Sequence, residues 1–339
     1  MFKKIIVIAC ICALILSMTG CGLTGTAAEG NVVNVYSSRH YDSDRELFQL
    51  FEEQTGIRVN VLEGNSQELQ ERVRRERNNP QADLLIDVGV TTLYSYLEES
   101  LLAPHEVTNI NEVESGMSGE RWLALTNRAR AVVYDHEVTS DIELHSYLDL
   151  ASPDFAGEIL VRSSTNIYNI ALIAGLIQAY GEQATQTFVE GIVANMAREP
   201  QGNDRDQAIA MVDGQGTLAV MSTYYIQMLK NSSDTTQQFV GPRLSIAFPD
   251  EVFVDISWMG LIDNATNAEN AMKLMEFLIS HEAQTRFMLE NGEMPININV
   301  PILEELSALY DFQRMNTDYE TLGRYMGTAI KMMNEAGWR

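Results

Sequence analysis

The sequence predicts an α/β fold of two lobes, and three observations carry that expectation. Short apolar runs alternate with amphipathic helical segments in the order βαβαβα over the first third of the chain, which argues for a parallel sheet with helices on both faces. The length of 339 residues suggests two domains rather than one. Two later apolar runs, at 130–134 and 256–262, fit strands that carry the chain between lobes more than once.

Val33 and Val35 mark a first strand that ends near Ser37. A helix is expected from Ser43, because Ser43 and Glu46 stand at capping-box spacing and Leu47, Leu50 and Phe51 form one apolar face. Gly56 stops it. Ile57, Val59 and Val61 alternate as a strand, followed by a polar helix over 66–77, a buried strand over 82–88 and a helix over 92–99. In the second half a strand at 158–162 leads through a polar loop to an apolar helix over 168–180. Helices follow at 183–193 and 206–212, then a turn at 213–216 and a strand over 217–221 that ends at the pair Tyr224-Tyr225. Strands at 244–248 and 256–262, a helix over 271–279 capped by Asn267, and a helix over 282–290 complete the pattern. From Pro301 onward the chain reads as helical to its end.

The first 20 residues read as an address rather than as fold. Lys3 and Lys4 precede an apolar run from Ile5 to Leu16, too short to span a membrane and right for a secretory signal. Ser17-Met18-Thr19-Gly20-Cys21 resembles the bacterial lipobox, with Met18 in place of the usual leucine, which implies cleavage before Cys21 and lipidation of its thiol. Residues 21–30 then form a small, polar tether. Cys10 and Cys12 leave with the signal, so the mature chain has no disulfide and relies on its core, for which a hydrophobic content of 45% is ample. The formal charge of −24 becomes −26 once Lys3 and Lys4 are removed, which disfavours nucleic acid and anionic lipid as partners.

Catalytic signatures are missing. There is no G-x-x-x-x-G-K-[ST] and no G-x-S-x-G, and His136-Glu137 and His281-Glu282 lack the second histidine of a zinc-protease helix. Instead, Tyr41 with His40, Tyr168, and Tyr224-Tyr225 each fall between a strand-like run and a helix-like one, the place where open α/β sheets bind ligands. A Tyr-Tyr pair alone usually just packs. Three such segments converging on one crevice make a cage of phenol oxygens suited to a hard trivalent cation, whose charge the phenolates neutralise.

The segments Asn34-Val-Tyr-Ser-Ser-Arg-His-Tyr41, Arg162-Ser-Ser-Thr-Asn-Ile-Tyr168 and Ser222-Thr-Tyr-Tyr225, with Pro200-Gln-Gly-Asn-Asp-Arg205, resemble the periplasmic iron(III)-binding proteins of ABC importers. The likeness runs through nearly all of residues 31–300. It implies a bilobed periplasmic-binding-protein fold whose lobes are joined by crossing hinge strands. The lobes expected are residues 31–128 plus 256–299 and residues 129–255 plus 300–339. The resemblance implies His40 and Tyr41 as metal ligands from the first lobe and Tyr168, Tyr224 and Tyr225 from the second. Arg39, Arg130 and Arg205 are candidates for supporting the ligands or holding a synergistic anion such as carbonate. The implied protein is a monomeric, lipid-anchored receptor at the outer face of the cell membrane (or in the periplasm), which passes iron(III) or a small ferric chelate to an ABC permease and is not an enzyme. Two departures stand out: Trp258-Met259 adds bulk to the run from Phe253, and Met228 stands where many relatives carry an arginine. The alternatives are a receptor of the same fold for a phosphate ester or phosphonate, using Ser37, Ser38, Ser163, Ser164 and Thr165 as donors, and a tyrosinate-iron hydrolase, for which five scattered histidines offer no cluster.

Overall fold

A single long strand organises the architecture. In this computed structural model, which describes residues 30–140 and 142–339, strand β4 (Leu123–Asp135) is buried at every position. The signal segment and Cys21 lie outside the described residues. The first half of β4, Leu123 to Ala129, pairs antiparallel with β8 (Val254–Leu261). Its second half, from Arg130, pairs with β6 (Leu218–Ser222) and, from Val132, with β7 (Leu244–Ala247). One strand thus belongs to two sheets.

On the first side the order is β2 (Arg58–Glu63), β1 (Val32–Ser37), β3 (Leu84–Asp87), β8, β4, with β1 parallel to both its neighbours. On the second side β6 pairs parallel with the short β5 (Ile159–Leu160). This is a mixed α/β sheet bent into two lobes about β4 and β8, as expected of the bilobed periplasmic-binding-protein fold. The expected strand at 130–134 is the second half of β4. Residues 123–129 were not expected as strand, because Asn127 and Arg128 interrupt the apolar pattern; both are fully buried there.

The helices that matter for the site begin at strand ends. Helix α1 (Asp42–Thr55) follows β1, and Gly56 ends it in the left-handed conformation at φ 70°. The expected capping box is absent: the N-cap is Tyr41, which makes no side-chain cap bond, and Ser43 Oγ donates to Asn291 Oδ1 instead (3.1 Å). Helix α2 (Ser66–Glu76) follows β2, and α3 (Val90–Glu98) follows β3. In the second lobe α4 (Ile167–Tyr180) is capped by Asn166, whose side chain accepts from Tyr168 N and Asn169 N; a cap of this kind stabilises a helix by about 1 kcal/mol. Helix α5 (Glu182–Asn195) packs behind it, α6 (Asp204–Val212) has a capping box formed by Asn203 and Asp206, and α7 (Tyr224–Lys230) starts directly after β6.

Two expectations near the C-terminus are corrected. Asn267 precedes its helix (Ala268–Leu278) but gives it no side-chain cap, because its amide donates to Asp83 Oδ2 at 3.0 Å. The stretch after Pro301 is mostly not α-helical: a 3-10 segment at Glu304–Leu309 and irregular chain precede the short helix Tyr319–Leu322 and the last helix, Met326–Ala336. Gly323 lies against Thr91 O and the Tyr94 ring, so that this tail crosses back over α3.

Candidate metal centre

Each tyrosine singled out in the sequence sits at the start of a helix that follows a strand. Tyr41 is the N-cap of α1, four residues beyond β1. Tyr168 is in the first turn of α4, held there by the Asn166 cap. Tyr224 and Tyr225 open α7, whose preceding residue is pinned to the shared strand by Thr223 N donating to Ala129 O at 3.0 Å.

The fold brings these phenols together. Tyr41 Oη and Tyr224 Oη are 3.3 Å apart although 183 residues separate them in sequence. The Tyr224 and Tyr225 rings pack at a centroid distance of 4.2 Å. Burial, followed by the Tyr168 phenol, pushes all of Tyr41, Tyr224 and Tyr225 above the ordinary tyrosine value, Tyr225 to about 12. These three groups are therefore neutral at pH 7.

Five guanidinium groups face the rings. Arg39 Cζ is 4.7 Å from the Tyr41 centroid, and Arg205 Cζ is 5.6 Å from that of Tyr225. Arg128, Arg162 and Arg130 lie 5.1, 5.6 and 6.0 Å from the Tyr168 centroid. At such distances a cation is attracted to the ring face. Four carboxylates oppose them. Asp44 and Glu293 pair with Arg39, Asp204 with Arg130, and Asp255 Oδ2 lies 3.6 Å from Arg128 Nη2.

The candidate arginines take supporting positions. Arg39 is fully engaged by Asp44, Glu293, Ser257 and Thr126, which leaves it no donor for an anion. Arg130 donates to Asp204, Ser222, Asn169 and the Val220 carbonyl. Arg205 reaches Met228 Sδ at 3.8 Å rather than a neighbouring aspartate. His40 does not join the phenols: its side chain is 58% exposed and its Nδ1 lies 3.2 Å from Glu63 Oε2. It does line a cavity of about 360 Å³, with Ser38, Ser66, Val88, Thr165 and Ile167, which opens between β1, β3 and the start of α4. His105 is half-buried against the Gly119 and Trp122 carbonyls.

Arg128, Arg162, Glu293, Asp204 and Asp255 were not singled out in the sequence. Arg128 and Arg130 stand two apart in β4, so both project from the same face, a relation that is readable only once residues 123–129 are known to be strand. Glu293 had no legible signal, since its partners lie 254 and 165 residues away. Among the described residues no group of three or more His, Cys, Asp or Glu could hold a metal ion.

Known proteins resemble this chain in sequence and in fold. A family model for bacterial extracellular solute-binding proteins matches residues 79–320. Iron uptake protein A1 of Synechocystis sp. is 36% identical over 325 residues, spanning 94% of this chain and 90% of that protein. A structure of the Trichodesmium protein IdiA (FutA) in complex with iron and citrate ligands matches with a TM-score of 0.85 at 36% identity, covering 91% of this chain and 100% of that one. The ferric binding protein from Campylobacter jejuni matches with a TM-score of 0.85 at 33% identity, again over 91% and 100% of the two chains. The chain belongs to the bacterial extracellular solute-binding protein family, whose members bind and present solutes rather than transform them.

Proposed function

We propose that this protein captures iron(III) between its lobes, on the phenolates of Tyr41, Tyr168, Tyr224 and Tyr225, and delivers it to an ABC permease. The observation that carries this reading is the 3.3 Å approach of the Tyr41 and Tyr224 hydroxyls across two sheets, with two further tyrosines beside them. Two phenolates at that separation repel by about 5 kcal/mol at an effective dielectric of about 20, so they ionise together only around a cation.

Charge balance favours a trivalent ion. The five arginines and four carboxylates leave the surround with one positive charge, and four phenolates around iron(III) carry one negative charge, so the two cancel. A divalent ion in the same cage leaves a buried negative charge uncompensated, which is costly. His40 is a fifth ligand in this proposal, brought to the metal by a turn of its side chain from Glu63 into the cavity it lines. A small anion such as carbonate, or the chelator of a ferric chelate, would be bound together with the metal.

The lobes are residues 31–128 plus 256–299 and residues 129–255 plus 300–339, with metal as the bridge that favours their closure. The mature protein is a monomer tethered through a lipid on Cys21. Titration of the mature protein with ferric citrate tests the function. A broad visible charge-transfer band that saturates at one equivalent and fades with dithionite is expected, and it is absent from Tyr224→Phe/Tyr225→Phe. A flat spectrum in the unmodified protein removes iron(III) as the ligand.

A further inference from the structure

The Glu293 carboxylate accepts five hydrogen bonds, from Arg39, Thr126, Arg128 and Asn291. Arg39 clamps it with both terminal nitrogens, Nη1 to Oε1 and Nη2 to Oε2, each at 2.8 Å. Thr126 Oγ1 and Arg128 Nη1 donate to Oε1 at 2.8 and 3.3 Å, and Asn291 Nδ2 donates to Oε2 at 3.0 Å. Thr126 and Arg128 belong to the shared strand β4, and Arg39 stands two residues before Tyr41.

The chain bearing Glu293 also meets the other lobe. Gly292 sits at φ 70°, and a Cβ there would lie 2.8 Å from Gln227 Cβ and 3.2 Å from Tyr224 O, which places this turn against the helix that carries Tyr224. One carboxylate therefore fixes the two arginines that face Tyr41 and Tyr168, and its neighbour abuts the backbone of Tyr224.

We propose that Glu293 is a positioning residue of the metal site: it locks Arg39 and Arg128 against the Tyr41 and Tyr168 rings, and its charge offsets theirs so that a trivalent ion is tolerated among the phenolates. This inference rests on the iron(III) reading. Burial alone would raise the carboxyl, but the charges of Arg39 and Arg128 and the bonds from Arg39 and Thr126 outweigh it and hold Glu293 at about 2, so that it is ionised under all working conditions. With the charge removed, both arginines gain freedom and one positive charge near the metal goes uncompensated. Trivalent ions feel that charge more than divalent ones.

The test compares the mature protein with Glu293→Gln, titrated with ferric citrate and, separately, with Ga(III) and Zn(II) salts. The expected result for Glu293→Gln is a loss of ferric and gallium affinity of at least about tenfold, as for a buried charge pair that loses one partner. An unchanged or raised zinc affinity and a charge-transfer band moved to shorter wavelength are expected alongside it, because the added positive charge compensates the divalent site and lowers the energy of the phenolate donor electrons. If Glu293→Gln fails to fold, Thr126→Val removes one bond to the carboxylate without removing its charge, and the same changes are expected in weaker form. A folded variant with wild-type affinity and band overturns the inference, as does an affinity loss with an unshifted band and unchanged metal preference. A wild-type protein with no band overturns the iron(III) reading itself and this inference with it.

Discussion

Binding of iron(III) at pH 7 is expected to release at least three protons. Tyr41, Tyr224 and Tyr225 are all raised above the ordinary value by burial and then by the Tyr168 phenol, Tyr225 to about 12, so each carries its proton at pH 7 and must lose it to coordinate. Each proton displaced makes the affinity rise about tenfold per pH unit, so that three give about a thousandfold between pH 6 and pH 7. The origin is visible in the geometry: at 3.3 Å the Tyr41 and Tyr224 oxygens cannot both be anionic without a cation between them. The assay is a pH-stat titration with ferric nitrilotriacetate, corrected for the chelator's own proton uptake, with affinity measured by competition at both pH values. Tyr224→Phe should release one proton fewer. Release of one proton or less, or an affinity that changes less than tenfold over that pH unit after correction, refutes the phenolate cage.

The same three phenols predict alkaline lability of the metal-free protein. Their folded values exceed those of the unfolded chain, so their contribution is complete below pH 10 and is lost as the pH rises toward 12, by about 4 kcal/mol per pH unit once all three ionise in the unfolded state; urea unfolding between pH 9 and 12 measures it. Tyr147→Phe should destabilise the hinge by about 1–3 kcal/mol, because Tyr147 Oη donates to the Arg130 carbonyl and accepts from Phe253 N (3.0 Å), and thermal or urea unfolding reads the loss. His40→Ala should keep the charge-transfer band and lose less affinity than Tyr41→Phe, since the imidazole is exposed and held by Glu63; a variant without any band would make His40 indispensable to the cage.

Much of the fold was legible because its signals are local. The order of strands and helices follows from apolar periodicity, and Gly56 ends α1 as the sequence indicates. Local rules fail mainly around the site. Tyr41 occupies an N-cap position that favours Ser, Thr, Asp or Asn, and Ser43 bonds across to Asn291 instead of capping; both exchanges place side chains where the cleft needs them. Residues 123–129 were missed as strand because Thr126, Asn127 and Arg128 look like loop residues until Glu293 and Ser257 appear opposite them.

The sequence by itself determined that the tyrosines stand at strand ends before helices, because that depends only on short-range pattern and on the three segments being intact. Only the tertiary structure decided how close the phenols come, that Arg128 and Arg162 join Arg130 around Tyr168, that His40 turns to Glu63, and that Glu293 ties Arg39 to the shared strand. The physical reason is that a buried ion pair is satisfied by whatever the fold carries to it. Arg39 and Glu293, 254 residues apart, leave no periodic trace in the chain between them.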